Sequence, residues 1–245
     1  MIDTNELGQN VGAALPDWVP PPMPPRAPMQ GRYCRVEPLD IDAHAADLHR
    51  HFSEDADGRD WSYLPYGPFD DLAAFEAWLK ATCLGDEPLF FVIVDTELGA
   101  ATGMAAYLNI KQAYGTVEVG HIHYAPALQN RRAATEAMYL MMGHAFDAGY
   151  RRYEWECNDQ NRRSRAAARR YGFSYEGIFR QHMVVRGHNR DSAWYACIDG
   201  EWPGLKSAFE TWLDPQNFAA DGTQKARLST LTRPILVAID PETMK

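Results

Sequence analysis

Glu118-Val119-Gly120-His121-Ile122-His123-Tyr124-Ala125-Pro126-Ala127-Leu128-Gln129-Asn130-Arg131-Arg132-Ala133-Ala134-Thr135-Glu136-Ala137 is the stretch from which the fold can be read. It opens with strand-like alternation and turns at Ala125-Pro126. After a short polar, basic segment it continues into a helical run from Ala134 to Ala148. Strand, turn and helix start together form an anion cradle, because the first backbone N–H groups of a helix have no intrahelical partner and carry partial positive charge. Two arginines sit in that cradle.

The pattern Pro126-x-x-Gln129-x-x-Arg132-x-Ala134 resembles the pyrophosphate loop of the Gcn5-related N-acetyltransferases (the GNAT family), and Glu118-Val119-Gly120 resembles the strand that precedes it in the ribosomal-protein N-acetyltransferase branch. Asn161-x-x-Ser164, Tyr171-Gly172-Phe173 and Glu176-Gly177-Ile178-Phe179-Arg180 follow in that branch's order and approximate spacing. The resemblance covers roughly residues 32 to 203. It implies a GNAT fold: an α+β, mixed but mostly antiparallel twisted sheet with helices on both faces. Its clearest departure is Arg132, where the family usually has glycine.

The 245 residues allow one large domain with extensions, and an apolar content of 46% suits a globular core. A net charge of −9 argues against a nucleic-acid or membrane-surface binder, which would present a basic footprint. From Gln129 to Phe173, however, there are nine arginines, no lysine and five acidic residues, a local net of +4. Such an island suits a phosphorylated small ligand, although arginines on helix faces are often merely solvated. Cys34, Cys83, Cys157 and Cys197 lack metal or redox spacing and read as reduced residues of a cytoplasmic protein. His121 and His123 could share a strand face, but no third ligand suggests itself and no metal is expected. No apolar run reaches the ~18 residues of a membrane helix.

Residues 1 to 31 become proline-rich from Pro16 to Pro28 and read as an extended arm pinned by Trp18 and Val19; Pro-x-x-Pro recruitment of a partner is the other reading. The chain then reads as a domain over 32 to 203, with a helix and tail over 204 to 245. Within the domain the patterning predicts a strand at Arg32–Glu37, a helix at Ala43–Phe52, and a second helix capped by Asp70. Three hairpin-linked strands follow, at Leu89–Asp95, Ala100–Ile110 and Thr116–Tyr124. A strand at Arg151–Cys157 and a helix from Asn161 to Tyr171 come next, then strands near Phe173–Glu176, Ile178–Val185 and Ala193–Asp199. A terminal helix is predicted over Leu205–Leu213. The apolar run Ile235–Ile239 could add a strand to a sheet edge or cross to a second subunit, so a homodimer stays open.

The resemblance implies acetyl-CoA as cosubstrate, with direct transfer of the acetyl group to a primary amine, either a small molecule or a peptide N-terminus. Tyr124 and the backbone of Gln129, Asn130, Arg131, Arg132, Ala133 and Ala134 would hold the coenzyme, and Asn161 and Ser164 would meet its pantetheine arm; Asn161 could equally be a plain helix cap. Glu118 lies eleven residues before Gln129, the spacing of the general base in the superfamily's histone-acetylating members, with His121 as second candidate; an ion-pair or structural role for Glu118 is the alternative. The family's tyrosine acid is replaced by Ala168, which leaves Ser164, a water or Tyr171 to protonate the thiolate. Trp61 and Tyr66 are either acceptor contacts or core aromatics. Arg132 and Ala168 together suggest a second reading, a weak or inactive acyl-CoA-binding protein.

Overall fold

The computed structural model describes residues 2 to 244. Ten strands and six helices alternate along it: β1 (Ile2–Thr4), β2 (Asn10–Gly12), β3 (Met29–Gln30), β4 (Cys34–Pro38), α1 (Ile41–Phe52), α2 (Leu72–Thr82), β5 (Leu89–Asp95), β6 (Ala100–Lys111), β7 (Thr116–Tyr124), α3 (Arg132–Asp147), β8 (Arg152–Asn158), α4 (Arg162–Tyr171), β9 (Ser174–Val185), β10 (His188–Ile198), α5 (Trp202–Leu213) and α6 (Leu228–Thr232). Strands β1 and β2 form a separate hairpin. The other eight make one sheet in the order β3-β4-β5-β6-β7-β8-β10-β9, antiparallel except for the β7–β8 pair. A mixed sheet with helices on both faces is thus what the patterning and the resemblance implied.

Two apolar clusters flank this sheet. One face packs against α3, α4 and α5 through residues such as Met138, Met141, Tyr153, Trp155, Phe173 and Phe209. The other packs against α1 and α2 through Leu48, Phe52, Phe75, Leu79, Phe90 and Val92, a cluster that contains no residue of β8, β9 or β10. The helix starts follow from caps. Asp40 accepts from the Ala43 amide at 3.1 Å, and Asp71, not the expected Asp70, accepts from Ala74 at 2.8 Å.

Several expected bounds shift for identifiable reasons. Helix α3 begins at Arg132 instead of Ala134, so the basic pair straddles its first residue. The two strands expected around Gly177 are one strand, β9, because glycine absorbs a φ of +137° without breaking the ladder. Strand β10 starts at His188, earlier than its polar sequence suggested, because Arg186 and Gly187 (φ +49° and +77°) make a two-residue turn that closes the hairpin. In the N-terminal arm, Trp18 does the pinning expected of the pair, and Val19 does not. Its indole lies 5.7 Å from the Arg151 guanidinium, whereas Val19 is 75% exposed.

The run Ile235–Ile239 forms no strand. It meets the sheet at the start of β9 through one backbone bond, Tyr175 N–H to the Ala238 carbonyl at 3.1 Å. The next residue fixes the tail more firmly: Asp240, 1% exposed, accepts a fork from Arg165 at 2.8 and 2.7 Å and a short hydrogen bond from the Tyr195 hydroxyl. This ties the tail to α4. Removing one partner of a buried ion pair leaves a desolvated charge. Asp240→Ala is therefore expected to lower stability by about 3–5 kcal/mol in urea unfolding, against less than about 1 kcal/mol for the exposed pair changed in Asp86→Ala.

Candidate active site

β7 and β8 pair only from Thr116 to Val119 against Arg152 to Trp155. Both strands continue, β7 to Tyr124 and β8 to Asn158, so beyond Val119 their facing backbone edges part. One cause is a bulge: the β6–β7 register shifts by one residue around His121, whose φ is +50°. Such a divergence exposes a backbone edge able to bond an extended ligand as another strand would.

Glu118 stands at the last paired turn before this opening. It is 4% exposed and faces the α1–α2 side, since its neighbours Val117 and Val119 belong to the opposite cluster. A second bulge, in β6, places Asn109 (φ +48°) so that its amide donates to Glu118 Oε2 at 2.7 Å. Burial drives the Glu118 pKa up, to about 8. The Asn109 bond opposes the shift, and the charges of Glu156 and Glu154 on β8 reinforce it. Glu156 itself is neutralised by Arg190 at 2.6 Å and held by Ser192 at 2.8 Å.

His121 lies on the same face. Its Nδ1 meets the Tyr66 hydroxyl at 2.9 Å, its ring lies 5.1 Å from Phe90, and burial lowers its pKa. His123 stacks on Trp61 at 3.7 Å and is depressed to about 3 by burial, so it stays neutral. The two histidines thus have separate partners. Trp61 is 3% exposed, between Phe52, Phe69 and His123, and on this geometry it packs the core. Tyr66 is half-buried and lies against Trp78 and His121.

In the loop between β7 and α3, the arginine that stands where the family usually has glycine needs no glycine-like backbone. The left-handed residue is Asn130, at φ +61°, while Arg132 is the first residue of α3 and carries no backbone strain. With Arg131 as N-cap and no side-chain cap, the amides of Arg132, Ala133 and Ala134 open the helix as donors. The side chains are committed differently. Arg131 bonds Glu97 at 2.9 Å and lies 3.9 Å from Asp95, whereas Arg132 lies over the rings of Tyr33 and Phe218, at 4.6 and 5.0 Å. Gln129 gives its amide protons to the Tyr124 carbonyl and to Asp60, at 2.9 and 2.5 Å. Any anion contact from this loop therefore comes from backbone N–H groups, Arg132 and the helix dipole. The Tyr124 hydroxyl is buried without a partner.

On the β8 side, the Asn161 side chain caps α4 by accepting from the Ser164 amide at 3.1 Å, and the Ser164 hydroxyl accepts from Trp155 Nε1 at 3.0 Å. Ala168 is fully buried and Tyr171 nearly so, the Tyr171 hydroxyl raised in pKa by burial. Asn109, Glu156 and Asp60 did not stand out in the sequence. Asn109 and Asp60 lie far from the loop in sequence, and no short motif marks them.

Residues 35 to 174 match the family model described as "Acetyltransferase (GNAT) domain". The chain belongs to the GNAT acetyltransferase family. A GCN5-related N-acetyltransferase from Brucella melitensis superposes with a TM-score of 0.87 at 44% identity, covering 89% of this chain and all of that one. A Chromobacterium violaceum structure assigned to the GNAT family gives 0.73 at 40% identity, over 79% and 96% of the two chains. Bacillus subtilis (strain 168) YdaF, provisionally named a ribosomal N-acetyltransferase, is 29% identical over 115 residues, 44% of this chain and 59% of that relative.

In this GNAT chain Trp61→Ala should cost about 3–5 kcal/mol in chemical unfolding, because it empties a packed aromatic site. A loss below about 1 kcal/mol would return Trp61 to the acceptor contacts.

Proposed function

We propose that the chain is an acetyl-CoA-dependent N-acetyltransferase that moves the acetyl group directly to a primary amine within a ternary complex. The observation that carries this reading is Glu118: a buried carboxylate with a pKa near 8, beside the place where β7 and β8 part. The amides at the start of α3 and the Arg132 guanidinium would hold the pyrophosphate. The open edge of β7 beyond Val119 would bond the pantetheine arm. We take 32 to 203 as the catalytic unit, braced by the arm and the tail.

Holding both substrates together can contribute roughly 7–11 kcal/mol, so no covalent nucleophile is needed. Glu118, as carboxylate, accepts a proton from the acceptor ammonium, directly or through one water. The freed nitrogen lone pair attacks the thioester carbonyl. As the tetrahedral adduct collapses, the C–S bond breaks and the sulfur leaves with the electron pair. His121, neutral and fixed by Tyr66, is the next candidate to pass a proton. The adduct nitrogen then gives up its second proton, and with Ala168 in place of the family's tyrosine, Ser164 or a water relays a proton to the sulfur as it takes that one up. A peptide N-terminus is a fitting acceptor class, given the ribosomal N-acetyltransferase name of the Bacillus relative.

Ala168 also favours the second reading, a coenzyme-binding protein with weak turnover. Calorimetric titration with acetyl-CoA, run beside thiol release over a panel of amines and short peptides, separates the two. Because the base must be ionised, kcat/KM is expected to rise with pH through about 8 and level off above it. Glu118→Gln should remove that rise and lower kcat by at least about 100-fold with little change in acetyl-CoA affinity. A Glu118→Gln enzyme that keeps the wild-type pH profile would exclude Glu118 as the base. Arg132→Ala should weaken acetyl-CoA binding about tenfold in calorimetry, and Arg131→Ala, whose charge is already paired, by less than about threefold.

A further inference from the structure

The segment from Arg59 to Gly67 spans the sheet face that carries Glu118, and it is braced from several directions. The Asp60 carboxylate accepts from Gln129 at 2.5 Å and from Arg163 of α4 at 3.1 Å. The Tyr63 hydroxyl donates to the Gln160 carbonyl at 3.2 Å, and the Tyr66 hydroxyl meets His121 at 2.9 Å. Gly67 packs closely against Trp61: an added Cβ there would lie 2.2 Å from the ring.

The remaining brace comes from the far side of the sheet. Arg186, in the turn between β9 and β10, donates from Nη2 to the Tyr66 and Gly67 carbonyls, at 2.7 and 2.6 Å. These partners are about 120 residues away in sequence, and the guanidinium is exposed. On the sheet face that carries Glu118, the apolar cluster of α1 and α2 includes no residue of β8, β9 or β10. The strand registers align Glu118, Glu154 and Glu156 with Trp194 and Ser192 of β10 and Phe179 of β9 on that face. Tyr66, held by Arg186, and its partner His121 therefore stand on the sheet face that also carries Glu118.

Building on the proposed acetyl transfer, we propose that Arg186 is a specificity-determining residue that sets the width of the acceptor entry. A guanidinium bonding two successive carbonyls fixes the loop against the hairpin tip at one separation. A primary amine on a slender, unbranched chain passes beneath it. An amine on a branched or ring-bearing carbon must first break both charge-assisted bonds. The acceptor class is thus an extended chain end, such as a peptide beginning with glycine or a straight alkylamine.

The test compares kcat/KM of the full-length wild type, Arg186→Ala and Arg186→Lys, with acetyl-CoA and two acceptor pairs: a tripeptide beginning with glycine against the same tripeptide beginning with tryptophan, and hexylamine against 1-cyclohexylethylamine. Arg186→Ala is expected to raise the ratio of bulky to slender acceptor about tenfold, within the range that pocket fit supplies, while the slender acceptor changes less than about twofold. Arg186→Lys, which keeps the charge on a shorter side chain, should fall between. Melting curves establish that each variant is folded. Equal changes for both members of a pair, or an unchanged ratio, overturn the role of Arg186 and leave the acetyl-transfer reading intact. A wild type that acetylates no amine overturns both.

Discussion

Most of what this chain offers a ligand depends on one break in one ladder: the parting of β7 from β8 after Val119 and Trp155. A parallel pair inside a sheet normally bonds along its length. Here the pairing lasts four residues and then stops, although both strands go on. The bulge at His121 turns the end of β7 away, and β8 runs on into the cap of α4 at Asn161. The two helices after these strands, α3 and α4, therefore start on either side of the parting, α3 with no side-chain cap and α4 capped by Asn161.

Around that opening the polar groups are divided between structure and chemistry. Arg131 is spent on Asp95 and Glu97, Gln129 on Tyr124 and Asp60, Asn161 on the end of α4, and Ser164 on Trp155. Glu136, one turn into α3, accepts the amides of Arg32, Tyr33 and Cys34 at 2.9, 2.6 and 2.9 Å, which anchors the helix start to the first strand of the domain. Glu118 and Arg132 are the exceptions. The carboxylate of Glu118 has one side-chain amide for partner, and the guanidinium of Arg132 lies over two rings and forms no ion pair among the described residues. A buried acid with a single neutral donor is costly to ionise, which is the property a general base near neutral pH requires.

The extensions brace this arrangement from outside. Trp18 and the carbonyls of Pro21 and Pro22 meet Ala113, Gln112 and Tyr150 near the far end of β7, while Phe218 and Asp240 bring the C-terminal region to Arg132 and α4. The C-terminal region thus rests against the two helices beside the opening, and the N-terminal arm against the β6–β7 and α3–β8 connections.

Element identity was legible because it follows from local periodicity and punctuation. The alternation in Thr116–Tyr124, the apolar spacing after Arg132 and the glycine stops at Gly149 and Gly172 all act over a few residues, and the strands and helices they mark are present. The loop motif likewise placed Glu118 and the start of α3 side by side, since both belong to one continuous stretch. The left-handed turn falls on Asn130, a residue that tolerates positive φ better than arginine, but whether the loop needs such a turn at all is decided by how it closes onto α3. Nor could the sequence tell Trp61 from Tyr66: two aromatics five residues apart look alike until packing buries one against His123 and leaves the other half open. Asn109 reaching Glu118, Arg186 reaching Tyr66 and Asp240 reaching Arg165 join residues that are distant in the chain. Those contacts, and with them the charge state of the carboxylate and the shape of its entry, were decided by tertiary structure, because burial and register are properties of the whole sheet and of no single segment.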